Sequence, residues 1–447
     1  MPRMFGTDGV RGVANTEALS PELAFALGRA ATTLFRERSG GRVAAVIGRD
    51  TRRSGPMLAA ALSAGICSAG GDVIDLGVIT TPGVAFVTTH LKTDFGVMIS
   101  ASHNPAPDNG IKFFSADGYK LPDEVEDQLE ALVRTKPDTL PRPTGAALGS
   151  IGQSPEAVEA YVERLVSTGR SLSGLRIVVD CGHGAAYRLS PEVLRRLGAE
   201  VIALNTAPDG ININHGCGST HPEALQEAVR AHKAHAGIAH DGDADRCIAV
   251  DENGELVDGD QIMAICALDM KARGQLPHDT LVATVMSNMG LELLMREHGV
   301  NLVRTKVGDR YVLEEMLKGG YALGGEQSGH VIFGALSTTG DGILTAVQLL
   351  SILAREQQPL SALAGRMQRL PQWLENVRVG RKEGWDQNPA IREAIARAEA
   401  ELAGQGRVLV RPSGTEPLIR VMLEGADMAQ IRQLAATIAE VIRTELQ

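Results

Sequence analysis

The chain has 447 residues, which is long for one hydrophobic core and favours about three domains. Hydrophobic residues make up 44% of the sequence, and this content excludes an intrinsically disordered chain. The formal net charge is −10, with lysines and arginines scattered along the sequence, so we expect no nucleic-acid partner.

Two further bulk features bear on the location of the protein. The N-terminus has no apolar secretion signal, and no apolar run approaches the ~20 residues of a membrane span. The five cysteines are dispersed and form no CxxC pair, which indicates reduced thiols. We therefore expect a cytoplasmic protein with no membrane partner.

Pairs of apolar segments repeat three times along the chain, and within each pair a polar loop and a helical stretch separate the two segments. The paired segments are 43–47 with 72–76, 176–180 with 200–204, and 281–285 with 301–304. The starts of paired segments lie 20 to 30 residues apart, which is typical of two parallel strands joined by a crossover helix. The repeat predicts three similar mixed α/β units.

The pattern changes after Pro371 to a strand, a helix over 388–402, two strands and a final amphipathic helix over 428–446. Such a segment is an α+β module of different topology. Another boundary is indicated by the stretch 136–155, which carries four prolines among glycine and serine. The predicted domains are α/β domains over 1–150, 151–255 and 256–370, followed by a smaller α+β C-terminal domain over 371–447.

A serine-rich segment in the first unit is a candidate for chemistry. Residues 100–105 read Ser-Ala-Ser-His-Asn-Pro and follow the apolar run 95–99, which is typical of a buried strand. A serine exposed in the loop after that strand, beside a histidine, is a candidate nucleophile or phosphate carrier. The alternative is an ordinary turn, since Ser, Asn and Pro are common turn residues.

Asp241, Asp243 and Asp245 alternate with small residues after an apolar stretch. On an extended backbone these carboxylates point the same way and repel one another unless a cation neutralises them. Their oxygens favour a hard ion such as Mg²⁺, one per chain. A solvated acidic turn and a calcium loop are the alternatives. Glu252 fits the twelfth position of a calcium-binding EF-hand loop, but Arg246 occupies the sixth, where glycine is required.

Two later loops offer polar groups for binding. The loop 324–330 combines glycines with Glu, Gln, Ser and His, which can bind sugar hydroxyls. The loop 411–417, with Arg420 beyond it, supplies two arginines, two hydroxyls and backbone N–H groups that suit a phosphate. A hairpin turn with an incidental arginine is the alternative for the second loop.

In this order, the four segments resemble the α-D-phosphohexomutase superfamily over essentially the whole chain. The opening 5–12, the segment 99–105 and the loop 325–330 are most similar to the bacterial phosphoglucosamine mutase family. The resemblance implies four domains around a central cleft. It also implies an isomerase that interconverts glucosamine 6-phosphate and glucosamine 1-phosphate through a phosphoserine and a bisphosphorylated sugar.

The resemblance also assigns roles to residues around the phosphoryl group. It implies that Ser102, next to His103, carries this group and is a metal ligand together with the three aspartates. It implies that Lys112, Arg11 and His330 transfer protons or stabilise charge, without saying which of them is acid or base.

The remaining implied roles concern the substrate. Glu326 and Ser328 would bind the sugar. The phosphate would be bound by Arg411, Ser413, Gly414, Thr415 and Arg420. The expected partner is a hexosamine phosphate, and a homodimer is the oligomeric state to test. The rival functions are a phosphomannomutase or phosphoglucomutase, a metal-dependent phosphatase and a non-catalytic sugar-phosphate-binding protein.

Two motifs favour a structural role. The segment 181–187 is similar to a dinucleotide-binding fingerprint, but Tyr187 stands where a small residue is needed. His232, His235 and His240 are close in sequence. The first two lie on a polar helical stretch, which favours a solvated face over a zinc site.

Overall fold

A computed structural model describes residues 3–6, 8–135, 140–413 and 416–447. The chain divides into two compact units. The first comprises Met1–Met286 and Val300–Gly365, and the second comprises Ser287–Gly299 and Arg366–Gln447. Among the described residues, none of the helices combines the length and the apolar character that a membrane span requires.

A six-stranded sheet opens the first unit. Its strands are β1 (Val10–Val13), β2 (Ala44–Arg49), β3 (Asp72–Val78), β4 (Phe95–Ile99), β5 (Asp108–Ser115) and β6 (Ile151–Gln153). Its helices are α1 (Pro21–Ser39), α2 (Gly55–Ser68), α3 (Thr81–His90) and α4 (Asp123–Thr135). The strand order is β1-β5-β4-β2-β3-β6, and β5 runs antiparallel to both of its neighbours. Every residue of β4 is buried, which explains its uninterrupted apolar sequence.

A five-stranded sheet follows in the chain. Its strands are β7 (Arg176–Asp180), β8 (Glu200–Leu204), β9 (Ala236–Ala239), β10 (Ile248–Asp251) and β11 (Leu256–Val257). Its helices are α5 (Pro155–Thr168), α6 (Leu189–Arg196) and α7 (Glu223–His232). The order is β11-β10-β9-β7-β8, with β7 parallel to β8 and β9.

The third sheet has four strands in the order β13-β12-β14-β15. The strands are β12 (Thr280–Thr284), β13 (Asn301–Thr305), β14 (Leu323–Gly325) and β15 (Val331–Phe333). The helices are α8 (Gly259–Ala272), α9 (Met289–Glu297), α10 (Asp309–Gly319), α11 (Gly342–Glu356) and α12 (Leu360–Ala364). The three predicted strand pairs are confirmed as β2–β3, β7–β8 and β12–β13, and each pair is parallel.

The C-terminal module has the predicted α+β pattern. Its strands β16 (Gln372–Arg378), β17 (Arg407–Pro412) and β18 (Leu418–Glu424) form an antiparallel sheet in the order β16-β18-β17. Its helices are α13 (Pro389–Leu402) and α14 (Met428–Glu445). A hydrophobic core that includes Val377, Ile391, Val421 and Ile438 joins these elements.

Helix α9 belongs to this second compact unit, although in the chain it connects two strands of the third sheet. The buried carboxylate of Glu424 accepts hydrogen bonds from the Met289 backbone N–H at 2.9 Å and from Asn288 Nδ2 at 3.4 Å. Asn288 Nδ2 also donates to the Leu370 carbonyl at 3.0 Å. These long-range bonds explain why α9 groups with the C-terminal module.

Candidate active site

Ser102 lies in the loop between β4 and β5, where its backbone takes an uncommon conformation. Its φ is 52°, in the left-handed region, and its side chain is buried, so the prediction of a serine exposed in this loop is wrong. The Ser102 N–H donates to Ser100 Oγ at 2.9 Å. The Ser102 carbonyl accepts from Arg52 Nη2 and Asn214 Nδ2, both at 2.9 Å. Both ends of this residue are therefore held by side chains.

The hydroxyl of Ser102 points to the aspartate segment that follows β9. Ser102 Oγ donates to Asp241 Oδ2 at 2.5 Å. Exposed His103 places Nδ1 3.4 Å from the same hydroxyl oxygen. The two loops are also in backbone contact, since a Cβ added to Gly242 would lie 2.5 Å from the Ser102 carbonyl oxygen. The structure thus brings together two motifs that are 139 residues apart.

Asp241, Asp243 and Asp245 form a buried cluster in which one ligand atom of each lies within 4.8 Å of the others. Burial, followed by repulsion from Asp245 and Asp243, raises the pKa of the Asp241 carboxyl. Among the described residues, Asp243 Oδ1 and Asp245 Oδ1 have no hydrogen-bond donor. Buried carboxylate oxygens without donors fit a cation, and an all-oxygen set suits a hard divalent ion. This segment could therefore hold a metal.

Lys112, on β5, lies against the same cluster. Its buried Nζ is 2.9 Å from Asp243 Oδ2 and 2.9 Å from Asp8 Oδ2. Burial alone lowers the pKa of Lys112, but the carboxylates of Asp243 and Asp8 outweigh burial and raise it. Asp243 Oδ2 also accepts from Thr81 Oγ1 at 2.6 Å, at the start of α3. Lys112 is therefore a charged ammonium held in one position.

Asp8 connects Lys112 to two further cations. It pairs with Arg11 Nη2, and its Oδ1 lies 2.5 Å from Lys120 Nζ. Lys120 Nζ also lies 2.6 Å from Asp309 Oδ2, at the start of α10. Burial raises the pKa of Asp8, but the surrounding cations, Lys112 first among them, hold it well below its usual range.

Sequence reasoning did not single out Asp8, Lys120 or Asp309. Asp8 lay inside the quoted opening motif, whereas nothing in the local pattern around Lys120 and Asp309 marked them. Lys120 and Asp309 are 189 residues apart, so only the folded structure shows that they are in contact.

His330 follows the turn between β14 and β15 and is buried between two carboxylates. Its Nδ1 lies 3.5 Å from Asp245 Oδ2, and its Nε2 lies 3.7 Å from Asp309 Oδ2. Burial lowers the pKa of His330, but Asp245 and then Asp309 raise it, to about 9. The ring also packs against Gly340, where an added Cβ would lie 2.4 Å from Nε2.

The same turn carries the predicted sugar-binding residues. Glu326 Oε1 accepts from the Gly308 backbone N–H at 3.1 Å, which fixes the side chain on the loop before α10. The Glu326 carbonyl accepts from the Gly329 N–H at 3.0 Å and closes the turn. The buried Ser328 Oγ has no hydrogen-bond partner among the described residues. A hydroxyl without a partner and a carboxylate at a turn can bind hydroxyl groups.

The predicted phosphate loop lies in the second unit. Arg411 on β17 and Arg420 on β18 are directly opposite in the strand register. Burial, and then the charge of Arg420, lowers the pKa of Arg411. Lys382 Nζ, which sequence reasoning missed, donates to the Ser413 carbonyl at 2.7 Å. Two opposed guanidinium groups favour a bound anion.

Gly414 and Thr415, the other two predicted residues of this loop, lie outside the described residues. Of the flanking residues, the Glu416 N–H donates to Ser413 Oγ at 3.3 Å.

His240 and the loop 181–187, for which the sequence favoured a structural role, both contact the aspartate segment. His240 is buried, with Nε2 2.8 Å from Ser190 Oγ and Nδ1 3.0 Å from the Arg246 carbonyl. Burial lowers its pKa to about 4, so His240 is a neutral brace for the aspartate segment. In the loop 181–187, the Ala185 N–H donates to the Gly242 carbonyl at 2.8 Å. His232 and His235 are exposed, as predicted, but α7 ends at His232, so the prediction that His235 lies on the same helix is wrong.

Comparison with known families matches almost the whole chain. Four models described as phosphoglucomutase/phosphomannomutase domains match in order. Domain I matches residues 2–139, domain II 159–254, domain III 258–370 and the C-terminal domain 374–441.

Individual relatives extend this result. A phosphoglucosamine mutase of Symbiobacterium thermophilum is 90% identical over 447 residues and covers 100% of both chains. A phosphoglucosamine mutase of Pelotomaculum thermopropionicum is 58% identical, covering 98% of this chain and 99% of the relative.

Solved structures share the fold. A phosphoglucomutase/phosphomannomutase family protein of Burkholderia thailandensis superposes with a TM-score of 0.81 at 28% identity, covering 99% of this chain and 97% of that one. An Aspergillus fumigatus N-acetylphosphoglucosamine mutase in complex with GlcNAc-6P and magnesium has a TM-score of 0.70 at 18% identity. It covers 99% of this chain and 96% of its own, and supports the fold alone.

Proposed function

Because the chain belongs to the phosphoglucomutase/phosphomannomutase family, we propose that it interconverts glucosamine 6-phosphate and glucosamine 1-phosphate. The chain is an isomerase that moves a phosphoryl group within its substrate. One observation supports this assignment of the reacting centre. Ser102 Oγ contacts Asp241, which is one of the three buried, clustered aspartates.

In the forward half-reaction, the bond between Ser102 Oγ and phosphorus breaks and a bond forms to the free sugar oxygen. The proton of that sugar hydroxyl passes to a base, and the departing Ser102 oxygen takes a proton from an acid and becomes a free hydroxyl. In the second half-reaction the bisphosphorylated sugar returns its other phosphoryl group to Ser102. The sugar must turn over between the two steps, so one set of binding groups has to accept either end of it.

The three aspartates would hold Mg²⁺, with Asp243 Oδ1 and Asp245 Oδ1 as the oxygens that have no donor among the described residues. When bound, the ion neutralises charge on the transferring phosphoryl oxygens. The protein's own task is to hold Ser102 in line with the incoming oxygen, which supplies most of the remaining rate enhancement.

Lys112, His330 and Arg11 supply the cationic and proton-carrying groups in this proposal. Lys112 is fixed between Asp243 and Asp8, so its ammonium is positioned before substrate arrives. His330 is fixed between Asp245 and Asp309 in the same way. Groups held in this manner need no reorganisation when charge develops in the transition state.

Binding groups are proposed in each unit separately. Glu326 and Ser328 are proposed to bind the sugar hydroxyls, because one offers a carboxylate and the other a hydroxyl without a partner among the described residues. Arg411, Ser413 and Arg420 are proposed to bind the phosphate that is not reacting, because their opposed cations favour an anion.

Other properties stay predictions from the sequence. They are the four domain limits, the cytoplasmic location and the homodimer. The preference for glucosamine phosphate over glucose and mannose phosphates rests on the high-identity phosphoglucosamine mutase relatives.

The test is a coupled assay that measures kcat/KM for glucosamine, glucose and mannose phosphates with the same purified protein. We expect glucosamine phosphate to be preferred, since a site with polar groups that bind one substituent rejects substrates that leave them unpaired. A comparable kcat/KM for glucose or mannose phosphate would identify a broader hexose mutase. Release of inorganic phosphate without isomerisation would identify a phosphatase, and the absence of any turnover would favour a binding protein.

A further inference from the structure

Arg52, three residues after β2, is fully buried and donates five hydrogen bonds through its guanidinium group. One goes from Nε to Asp50 Oδ2 at 2.9 Å. The other four go to backbone carbonyls of the loop between β4 and β5 and of the first residue of β5: Ser102 at 2.9 Å, Asn104 at 2.8 Å, Pro105 at 2.5 Å and Asp108 at 3.0 Å. A guanidinium has five N–H donors, so each donor has an acceptor.

Through these hydrogen bonds, the Arg52 side chain fixes the backbone of the loop between β4 and β5. The carbonyls of a segment that leaves a strand have no partners in the sheet, and an unpaired buried carbonyl is destabilising. Here four carbonyls converge on one rigid, planar group, and three of them also accept from Asn214 Nδ2 or from the Asp108 N–H. A lysine at this position offers a single nitrogen and cannot reach four acceptors in this geometry.

Asp50 extends the same control to the other side of Ser102. Asp50 Oδ2 accepts from Ser100 Oγ at 2.6 Å, and Ser100 Oγ accepts from the Ser102 N–H at 2.9 Å. Asp50 Oδ1 accepts from the Arg52 backbone N–H at 2.9 Å. The buried Asp50–Arg52 pair therefore holds the N–H of Ser102 through Ser100 and its carbonyl directly.

The need for such control follows from the conformation of Ser102. A serine at a φ of 52° is in a sparsely populated region and persists only where its surroundings determine it. That conformation is the one in which Oγ lies 2.5 Å from Asp241 Oδ2. Relaxation of the loop would move the hydroxyl away from the aspartate cluster.

We propose that Arg52 is a positioning residue for phosphoryl transfer: it fixes the backbone of Ser102 so that the phosphoryl-carrying oxygen faces the aspartate cluster. The inference rests on the proposed function and deepens it. Arg52 acts through the loop and is placed outside the groups that touch substrate.

The main test is Arg52→Lys, which keeps the charge beside Asp50 and removes most of the carbonyl contacts. We expect kcat per folded molecule to fall about 100-fold, the effect of an ångström-scale misplacement of a reacting group. KM should change by less than about threefold, because the binding groups are untouched. Mg²⁺ affinity, measured by calorimetry, should stay near that of the wild type, since the hydrogen bonds of Arg52 go to Asp50 and to backbone carbonyls and not to the three proposed metal ligands.

Arg49→Lys is the matched control. Arg49 is the last residue of β2, and its side chain pairs with Asp75 at 2.8 Å rather than with carbonyls of the Ser102 loop. This control should retain wild-type kcat. Ser100→Ala is a second, milder variant for the case in which Arg52→Lys does not fold. It removes only the hydroxyl that holds the Ser102 N–H, and should also lower kcat while KM stays the same.

The outcomes separate the inference from the proposed function. An inactive wild-type protein would defeat the proposed function, whatever Arg52 does. An active wild type with an Arg52→Lys variant of normal kcat per folded molecule would overturn the positioning role. If Arg52→Lys does not fold and Ser100→Ala has wild-type kcat, the role is also refuted. Loss of melting temperature alone, with kcat unchanged, would show that Arg52 is structural only.

Discussion

Lys112 and Asp243 form a buried ion pair in which Nζ lies 2.9 Å from Oδ2, with side chains only 2% and 0% exposed. Lys112 therefore touches one of the three proposed metal ligands directly. Because a buried charge is stable only when paired, the ammonium and the carboxylate fix each other's position. The pair joins the proposed proton-transfer groups to the proposed metal site.

The contacts continue from Lys112 through groups of alternating charge. In order they are Asp8, Lys120, Asp309, His330 and Asp245, separated by distances between 2.5 and 3.7 Å. This chain of charges returns to the aspartate cluster at Asp245. Lys112 and His330 are thus held by one continuous network.

The first prediction concerns Ser102. Peptide mass spectrometry of the purified protein should find about 80 Da added at Ser102, the mass of a phosphoryl group. Ser102→Ala should abolish nearly all mutase activity, because it removes the group that carries the phosphoryl, while circular dichroism stays native. Ser171→Ala, in an exposed loop, is the control and should keep full activity. Near-normal turnover by Ser102→Ala would refute the phosphoserine mechanism.

The second prediction concerns the metal. Asp243→Asn should weaken Mg²⁺ binding in calorimetry without substrate and lower kcat about 100-fold or more, since a metal ligand carries several kcal/mol of transition-state stabilisation. Excess EDTA should inactivate the wild type, and added Mg²⁺ should restore it. Full activity in EDTA would exclude the metal role.

The sequence predicted the parts of the site that follow strands. The run before Ser102 and the stretch before Asp241 are uninterrupted apolar segments, so the position of the polar residues after them was readable. The parallel pair β2–β3 was readable from the spacing of its two apolar segments, although β3 includes Asp72 and Asp75 and is only partly buried.

Residues that act through distant partners were not predictable in this way. Arg52 reaches the Ser102 carbonyl across 50 positions, and Lys120 reaches Asp309 across 189. Neither hydrophobic periodicity nor turn residues in the sequence indicate such a contact, because the two residues meet only in the folded protein. The grouping of α9 with the C-terminal module has the same origin, in the bonds of Glu424.

The third prediction concerns Lys120. Lys120→Met leaves Asp8 and Asp309 without their shared cation, so their repulsion should displace Lys112 and His330. We expect kcat to fall about 10- to 100-fold, as for other small displacements of catalytic groups. Lys120→Arg keeps the charge and should retain more activity. The measurement is kcat from steady-state assays, corrected for the folded fraction of each variant. Equal kcat for Lys120→Met and the wild type would show that the charge network is not required for turnover.

The fourth prediction concerns the packing of His330. Gly340→Ala would place a Cβ 2.4 Å from His330 Nε2, so the ring must move away from Asp245 or Asp309. We expect kcat to fall about 10- to 100-fold. Gly334→Ala is the matched control, because its Cβ would meet its nearest atoms at an ordinary 3.5 Å. If Gly340→Ala is as active as Gly334→Ala, the proposed role of His330 is contradicted.

The fifth prediction concerns the phosphate loop of the C-terminal module. Arg411 faces Arg420 across β17 and β18, and two opposed guanidinium groups gain most from an anion between or beside them. Arg411→Ala should therefore raise KM by an amount equivalent to roughly 2–3 kcal/mol, the worth of a charge-assisted contact. It should also release more bisphosphorylated sugar during turnover, since the reorienting intermediate is held less well.

Two measurements isolate this effect from damage elsewhere. The phosphorylated fraction of Ser102 should be little changed in Arg411→Ala, because the loop is proposed to bind the phosphate that is not reacting. Arg397→Ala, which removes an exposed arginine on α13 paired with Glu393, should leave KM unchanged. Wild-type KM and wild-type release of the intermediate in Arg411→Ala would mean that another part of the chain binds this phosphate.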